Sequence, residues 1–174
     1  MSHRFKSIFL IVVLVVAFVY QQTYGAADYY PYQTRTYAQH ESFVKDGDSF
    51  VLKGDHIRLW GIDAVELYQN CEDKSTTVYP CGQLAKNYMK ALFDPNHMAC
   101  TEVDRQDTGR IIATCLINGD DLGQMIVEAG WAQDYTYYSK GHYSAEEERA
   151  KSDKRGIWQG AFISPRDWRR DRRE

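Results

Sequence analysis

Apolar and polar positions change period several times along this chain, and each change marks an element. Phe43 and Val44 open a strand signal that Ser49 to Val51 continues. Lys53-Gly54-Asp55 supplies a turn. His56 to Trp60 then makes the return strand, with Ile57 and Leu59 on one face and Arg58 on the other. Residues 67–80 hold no periodic apolar face and read as a polar loop. From Gln83 the period lengthens: Leu84, Tyr88 and Leu92 recur at four, and Ala85 with Met89 broadens the stripe. This predicts an amphipathic helix that ends before Pro95. Met98 to Val103 and Arg110 to Ile117 read as two strands around a charged turn, and Asn118-Gly119 as the next turn. Asp121 is placed to cap a helix whose buried stripe is Leu122, Met125, Ile126 and Ala129, with Gly130 as its stop. Ser144 and Glu147 fit a capping box for a charged helix over about 145–155, ended by Gly156. Ile157 and Trp158 then pack back on the body.

The predicted order is strand, strand, strand, helix, strand, strand, helix, helix. Short strands with one inserted helix predict a mainly β fold with helices: a small Greek-key barrel with about three helices packed around it. No Gly-x-Gly-x-x-Gly follows a strand, and no P-loop lysine, Gly-x-Ser-x-Gly elbow or His-Glu-x-x-His helix is present.

The ends read differently from the middle. His3, Arg4 and Lys6 precede an uncharged run from Ile8 to Tyr20, thirteen residues long, and Gly25-Ala26-Ala27 follows. A membrane span needs roughly twenty residues. The pattern therefore predicts a secretory signal peptide over 1–26, with a short membrane anchor as the alternative. The expected location is secreted or periplasmic, or membrane-anchored if the leader is retained. Residues 27–40 form a tyrosine-rich lead-in without helical or strand period, 41–162 a single domain, and 163–174 a basic tail. That tail is either a solvated end or a helper patch for a nucleic-acid backbone.

Composition refines this. A net charge of −3 argues against a passive nucleic-acid coat protein, but local positive charge can still serve an enzyme. Four cysteines, an even number in an exported chain, favour two disulfides. Three pairings are possible. Cys71–Cys81, closing the polar loop, and Cys100–Cys115, spanning the predicted hairpin, are preferred. No Cys-x-x-Cys knuckle supports a structural zinc.

The candidate chemistry is concentrated. Asp48, Asp63 and Glu66 fall within nineteen residues that also hold Arg58. Carboxylates can hold a hard cation and a neighbouring arginine can hold a phosphate, the two needs of metal-assisted phosphodiester cleavage. Asp46, before Gly47, reads as a turn residue.

These segments resemble the staphylococcal nuclease (thermonuclease) family. Val44-Lys45-Asp46-Gly47-Asp48-Ser49, then Ile57-Arg58-Leu59 through Asp63-Ala64-Val65-Glu66, carry the resemblance. Thr108-Gly109-Arg110, Asn118-Gly119, Ala129-Gly130-Trp131-Ala132 and Ala150-Lys151 to Gly156-Ile157-Trp158 extend it in order over roughly 40–160. The resemblance implies a five-stranded oligonucleotide-binding (OB) Greek-key barrel and calcium-dependent hydrolysis of DNA and RNA, and a monomer is expected. It implies Asp48 and Asp63 as metal carboxylates and the Ala64 backbone carbonyl as a further ligand. Glu66 corresponds to the residue that orders or deprotonates the attacking water, and Arg58 and Arg110 to the pair on the scissile phosphate. Where the family usually has an aromatic this chain has Thr108, and where it often has a basic residue this chain has Asp107; Arg105 is the candidate to compensate as a substrate contact. For the aromatic wall of a nucleotide pocket, Tyr135, Tyr137 and Tyr138 are candidates and Tyr138 is favoured. The competing expectation is a catalytically weak or inactive OB-fold module that binds nucleotides, another anionic ligand or a protein partner.

Overall fold

The structure, a computed structural model, describes residues 34–36 and 42–172. The leader predicted over 1–26 and most of the lead-in lie outside the described residues. In chain order the strands before the first helix are β1 (Thr34–Thr36), β2 (Phe43–Val44), β3 (Ser49–Leu52), β4 (Asp55–Leu59), β5 (Ile62–Ala64), β6 (Cys71–Glu72) and β7 (Val78–Tyr79). Helix α1 (Cys81–Leu92) follows, then β8 (Met98–Arg105), β9 (Ile111–Ile117), β10 (Asp120–Asp121) and α2 (Leu122–Glu128). The chain continues with β11 (Ala132–Asp134), α3 (Thr136–Ser139), α4 (Ser144–Ser152), a 3-10 turn (Gly156–Gln159) and α5 (Pro165–Asp171).

The main sheet runs β1-β8-β9-β4-β3-β2, with β10 on β9. Neighbours pair antiparallel except β4 and β9, which run parallel. The sheet curls like half of an OB barrel but does not close. A closed five-stranded barrel, the expectation from sequence, is thereby corrected to an open half-barrel of seven strands, and the described residues hold five α-helices instead of about three. The reason lies in the second edge. β2 is two residues long, and after Gly61, at φ 74°, the chain leaves the sheet so that β5 pairs with β11 instead. Among the described residues, no strand bridges β1 to β2.

Strand alternation does most of the packing. Phe50, Leu52, Ile57, Leu59, Ile111, Ala113 and Cys115 point inward and meet Ile62, Met98, Leu122, Ile126 and Tyr143 in one core. At roughly 25 cal/mol per Å2 of apolar surface, this burial is the main stabilising force. A second cluster of Val65, Cys71, Cys81, Ala85 and Ile157 lies under Trp158 and Phe162. Both preferred disulfides form, Cys71–Cys81 and Cys100–Cys115, and the second joins residues directly opposite in the β8–β9 ladder.

Local outcomes differ in instructive ways. Asp121 caps α2 as predicted, accepting the Gln124 N–H at 3.0 Å. The single strand expected across 43–51 is a hairpin instead: Phe43 pairs with Val51, and Lys45 to Asp48 form its turn. α1 buries Ala85 and Met89, while Leu84 is 39 % exposed, so the true stripe is rotated from the predicted one. The Ser144–Glu147 capping box does not form. Ser144 lies inside α4 with its hydroxyl on the Gly141 carbonyl, and Glu147 accepts the Asp134 N–H. Thr34–Thr36 pairs with β8, where the lead-in showed no strand period.

Candidate active site

The acidic pair is built by one hairpin and the turn that follows it. β3 and β4 pair with Ser49 opposite Arg58, and the Leu59 N–H donates to the Asp48 carbonyl at 2.9 Å. The turn at Trp60-Gly61 then sends β5 back, carrying Asp63 to the same place. Arg58 Nη2 consequently lies 2.9 Å from Asp48 Oδ2 and 2.6 Å from Asp63 Oδ1. Asp48 also accepts the Ala64 N–H at 2.9 Å and the Ser49 hydroxyl at 2.8 Å. Both carboxylates are buried, Asp48 at 2 % exposure and Asp63 at 5 %. Burial pushes the Asp48 carboxyl up to about 6, against the opposing pull of Arg58. Asp48 in turn holds the Arg58 guanidinium above its ordinary range.

Arg110 arrives by register. β4 and β9 run parallel with Arg58 beside Ile112, and alternation puts Arg110 and Ile112 on one face of the strand. Arg58, Arg110 and Ile112 line a common cleft of about 710 Å3. Arg110 Nε donates to Gln106 Oε1 at 3.0 Å, within the turn. Asp107 and Thr108 are exposed at the turn's tip. Arg105 is held by Glu102, at 2.9 and 2.7 Å, and does not line that cleft.

Tyr135 and Tyr138 form the cleft's aromatic side, with ring centroids 5.1 Å apart and edge to face. Tyr138 is 55 % exposed and also meets Tyr137 at 4.8 Å. This turn is fastened beside the acidic pair: the Tyr135 N–H donates to the Gly61 carbonyl at 2.8 Å, and the Ser139 hydroxyl bonds the buried Asp134 carboxylate. Glu66 follows β5 on a loop braced from within. Its N–H donates to Gln69 Oε1 at 3.1 Å, and its carbonyl presses on Gly82 of α1, where a Cβ would lie 1.8 Å away.

Sequence reasoning missed one residue here. α5 brings Arg169 onto the acidic group. Its Nη1 donates to Glu66 at 2.6 Å and Asp63 at 2.9 Å, and its Nη2 donates to the other Asp63 oxygen at 2.8 Å. These carboxylates, Asp63 foremost, hold the Arg169 guanidinium well above its ordinary range. The overlooked signal was Ser164-Pro165 with Asp167, a helix start of capping serine and proline at the first position. Reading the tail as a helix would have placed Arg169 among ordered side chains.

Residues 56–160 match the profile of the family described as Staphylococcal nuclease homologue. The chain belongs to the staphylococcal nuclease family. It is also similar to the succinoglycan biosynthesis protein ExoI of Rhizobium meliloti (strain 1021), 31 % identical over 120 residues, covering 68 % of this chain. The chain spans 63 % of the length of that relative.

The family implies calcium. Among the described residues, no three His, Cys, Asp or Glu side chains are gathered as a metal cluster. The donor chemistry still fits a hard cation, because Asp48 and Asp63 are oxygen donors held together by a shared cation, and Arg169 shows that positive charge is accommodated at Asp63 and Glu66. Two carboxylates fall short of the six to eight oxygens calcium takes, so carbonyl, water and phosphate oxygens would have to supply the rest. Among the described residues, no helix is long and apolar enough to cross a membrane.

Proposed function

We propose that this staphylococcal nuclease family member hydrolyses phosphodiester bonds of DNA and RNA in a calcium-dependent reaction. One observation carries the reading: Arg58 bridges two buried carboxylates at the edge of a cleft that a second arginine, Arg110, also lines. Asp48, Asp63 and the Ala64 carbonyl would hold the calcium. When bound, the ion supplies Lewis-acid charge for the phosphate and the water. Glu66, whose side chain is 26 % exposed, orients or deprotonates the attacking water. Arg58 and Arg110 offer paired N–H donors to the non-bridging oxygens and neutralise charge as it builds in the transition state. Tyr138, with Tyr135 behind it, stacks a base, which tolerates every base because each has a π face. Arg105 serves as an outer backbone contact. The two disulfides suit an exported, secreted or periplasmic enzyme acting as a monomer.

A second reading, an inactive module binding nucleotides, another anion or a protein partner, is favoured by Arg169, which occupies Asp63 and Glu66. Cleavage of single-stranded DNA with calcium, and again with chelator, separates the two. The enzyme reading expects product that chelator abolishes. It also expects Glu66→Gln to lower turnover about 10²- to 10⁴-fold with the melting temperature preserved. Folded wild-type protein that yields no product in calcium overturns it and leaves the binding module.

A further inference from the structure

We propose that Arg169 is a tethered counter-cation of the acidic site, so that calcium and the C-terminal helix compete for Asp63. The proposal rests on the metal reading above. Arg169 takes both oxygens of Asp63 and one of Glu66, so its guanidinium fork is fully matched to the two carboxylates. A calcium held by Asp48, Asp63 and the Ala64 carbonyl would need the Asp63 oxygens and would meet a like charge already there, with Glu66 still tied to Arg169.

This ion pair differs from a chance surface contact because its helix is anchored to the loop it silences. Gln69, buried at 1 %, accepts the Glu66 N–H and donates to the Ile163 carbonyl at 2.6 Å. The Glu72 N–H donates to the Ala161 carbonyl at 2.8 Å, and Pro165 is buried at the helix start. Ser164 and Asp167 then cap α5 reciprocally, at 3.1 and 2.7 Å. The arm up to residue 164 is fastened by these hydrogen bonds and the buried proline, and the turn beyond it carries Arg169 onto Asp63 and Glu66. Arg170 of the same helix pairs with Asp167 and Asp171, and Arg172 at its C-cap covers the Trp168 ring at 4.0 Å. Calcium binding releases the far end of α5 from its anchored base, and the arm sets the calcium level at which the site fills.

Isothermal titration of the full chain with calcium chloride tests this, comparing wild type, Arg169→Gln and Arg170→Gln. Arg169→Gln is expected to bind calcium about fivefold more tightly, the scale of a partly exposed ion-pair cluster. Arg170→Gln removes the same charge from the same helix and is expected to stay within about twofold of wild type. In wild type, saturating calcium is expected to speed amide exchange over residues 166–171. Equal or weaker binding by Arg169→Gln, or equal tightening by both variants, overturns the competition while leaving the metal reading intact. Calcium binding by none of the three folded proteins overturns the metal reading, and the competition with it.

Discussion

Asp48 is an acid in a place water does not reach. Three donors face it, yet burial outweighs them and its carboxyl is pushed up to about 6. A carboxyl whose folded pKa exceeds its unfolded one binds a proton more tightly in the folded chain. Stability therefore falls as pH rises from about 4 to about 6, and above that window the ionised Asp48 costs about 2–3 kcal/mol. In chelator, Asp48→Asn is expected to be more stable than wild type at pH 7 by about 1–3 kcal/mol, with the gap closing toward pH 4. Urea melts at both pH values check it, and an Asn variant that is weaker at pH 7 would contradict the burial argument. At this scale the sequence was informative about residue types: Asp48, Asp63, Glu66, Arg58 and Arg110 follow one family's order. Arg169 was illegible because its charge sits in a run of similar charges, and only three-dimensional placement singles it out.

Helices and strands were legible where their periods were long or their caps chemically explicit. α2 was readable because Asp121 and Gly130 mark its ends. α4 misled because Ser144 and Glu147 have the spacing of a box, but tertiary neighbours took both side chains. The start of α1 was missed by two residues because Cys81 and Gly82 look like loop residues. Gly82 is there for a reason the helical pattern does not express: the Glu66 carbonyl occupies the space of a Cβ. Gly82→Ala must push away the loop that carries Glu66. Expected effects are a loss of about 1–3 kcal/mol in denaturant melts and a drop in turnover of about tenfold or more from misplacing Glu66. A variant with wild-type stability and turnover would show that the contact between helix and loop is unimportant.

For the whole molecule, the net charge of −3 and the local cleft pull in opposite directions. Much of the positive charge is already paired: Arg58 with Asp48 and Asp63, Arg105 with Glu102, Arg149 and Arg155 with Glu128. The basic side chains lining the cleft are Arg58, Arg110 and Arg169, and Arg169 is engaged by Asp63 and Glu66, so on the proposed reading substrate capture depends on Arg58 and Arg110 rather than on a broad basic field. Binding of single-stranded DNA to Glu66→Gln in calcium is expected to weaken with salt at a slope of about −1 to −2, the release from about two phosphates. Fluorescence anisotropy across a salt series reads it. A slope steeper than about −4 would mean that a wider surface, with the basic C-terminal segment included, takes up the strand.

What the sequence by itself determined is local and chemical. Alternation fixed which side of β4 carries Arg58, turn residues fixed where hairpins reverse, and even cysteine spacing favoured the two disulfides that form. These depend on near neighbours, whose periodicity a linear chain displays. Tertiary structure decided what depends on distant partners. It left the half-barrel open, because β5 found β11 rather than a place in the main sheet. It gave Gln69 the task of joining the Glu66 loop to residue 163, across ninety-four positions. It also carried Arg169 to Asp63 over a separation of one hundred and six. An ion pair of that span leaves no period in the sequence, since any arginine of the tail has the same charge and only packing chooses among them.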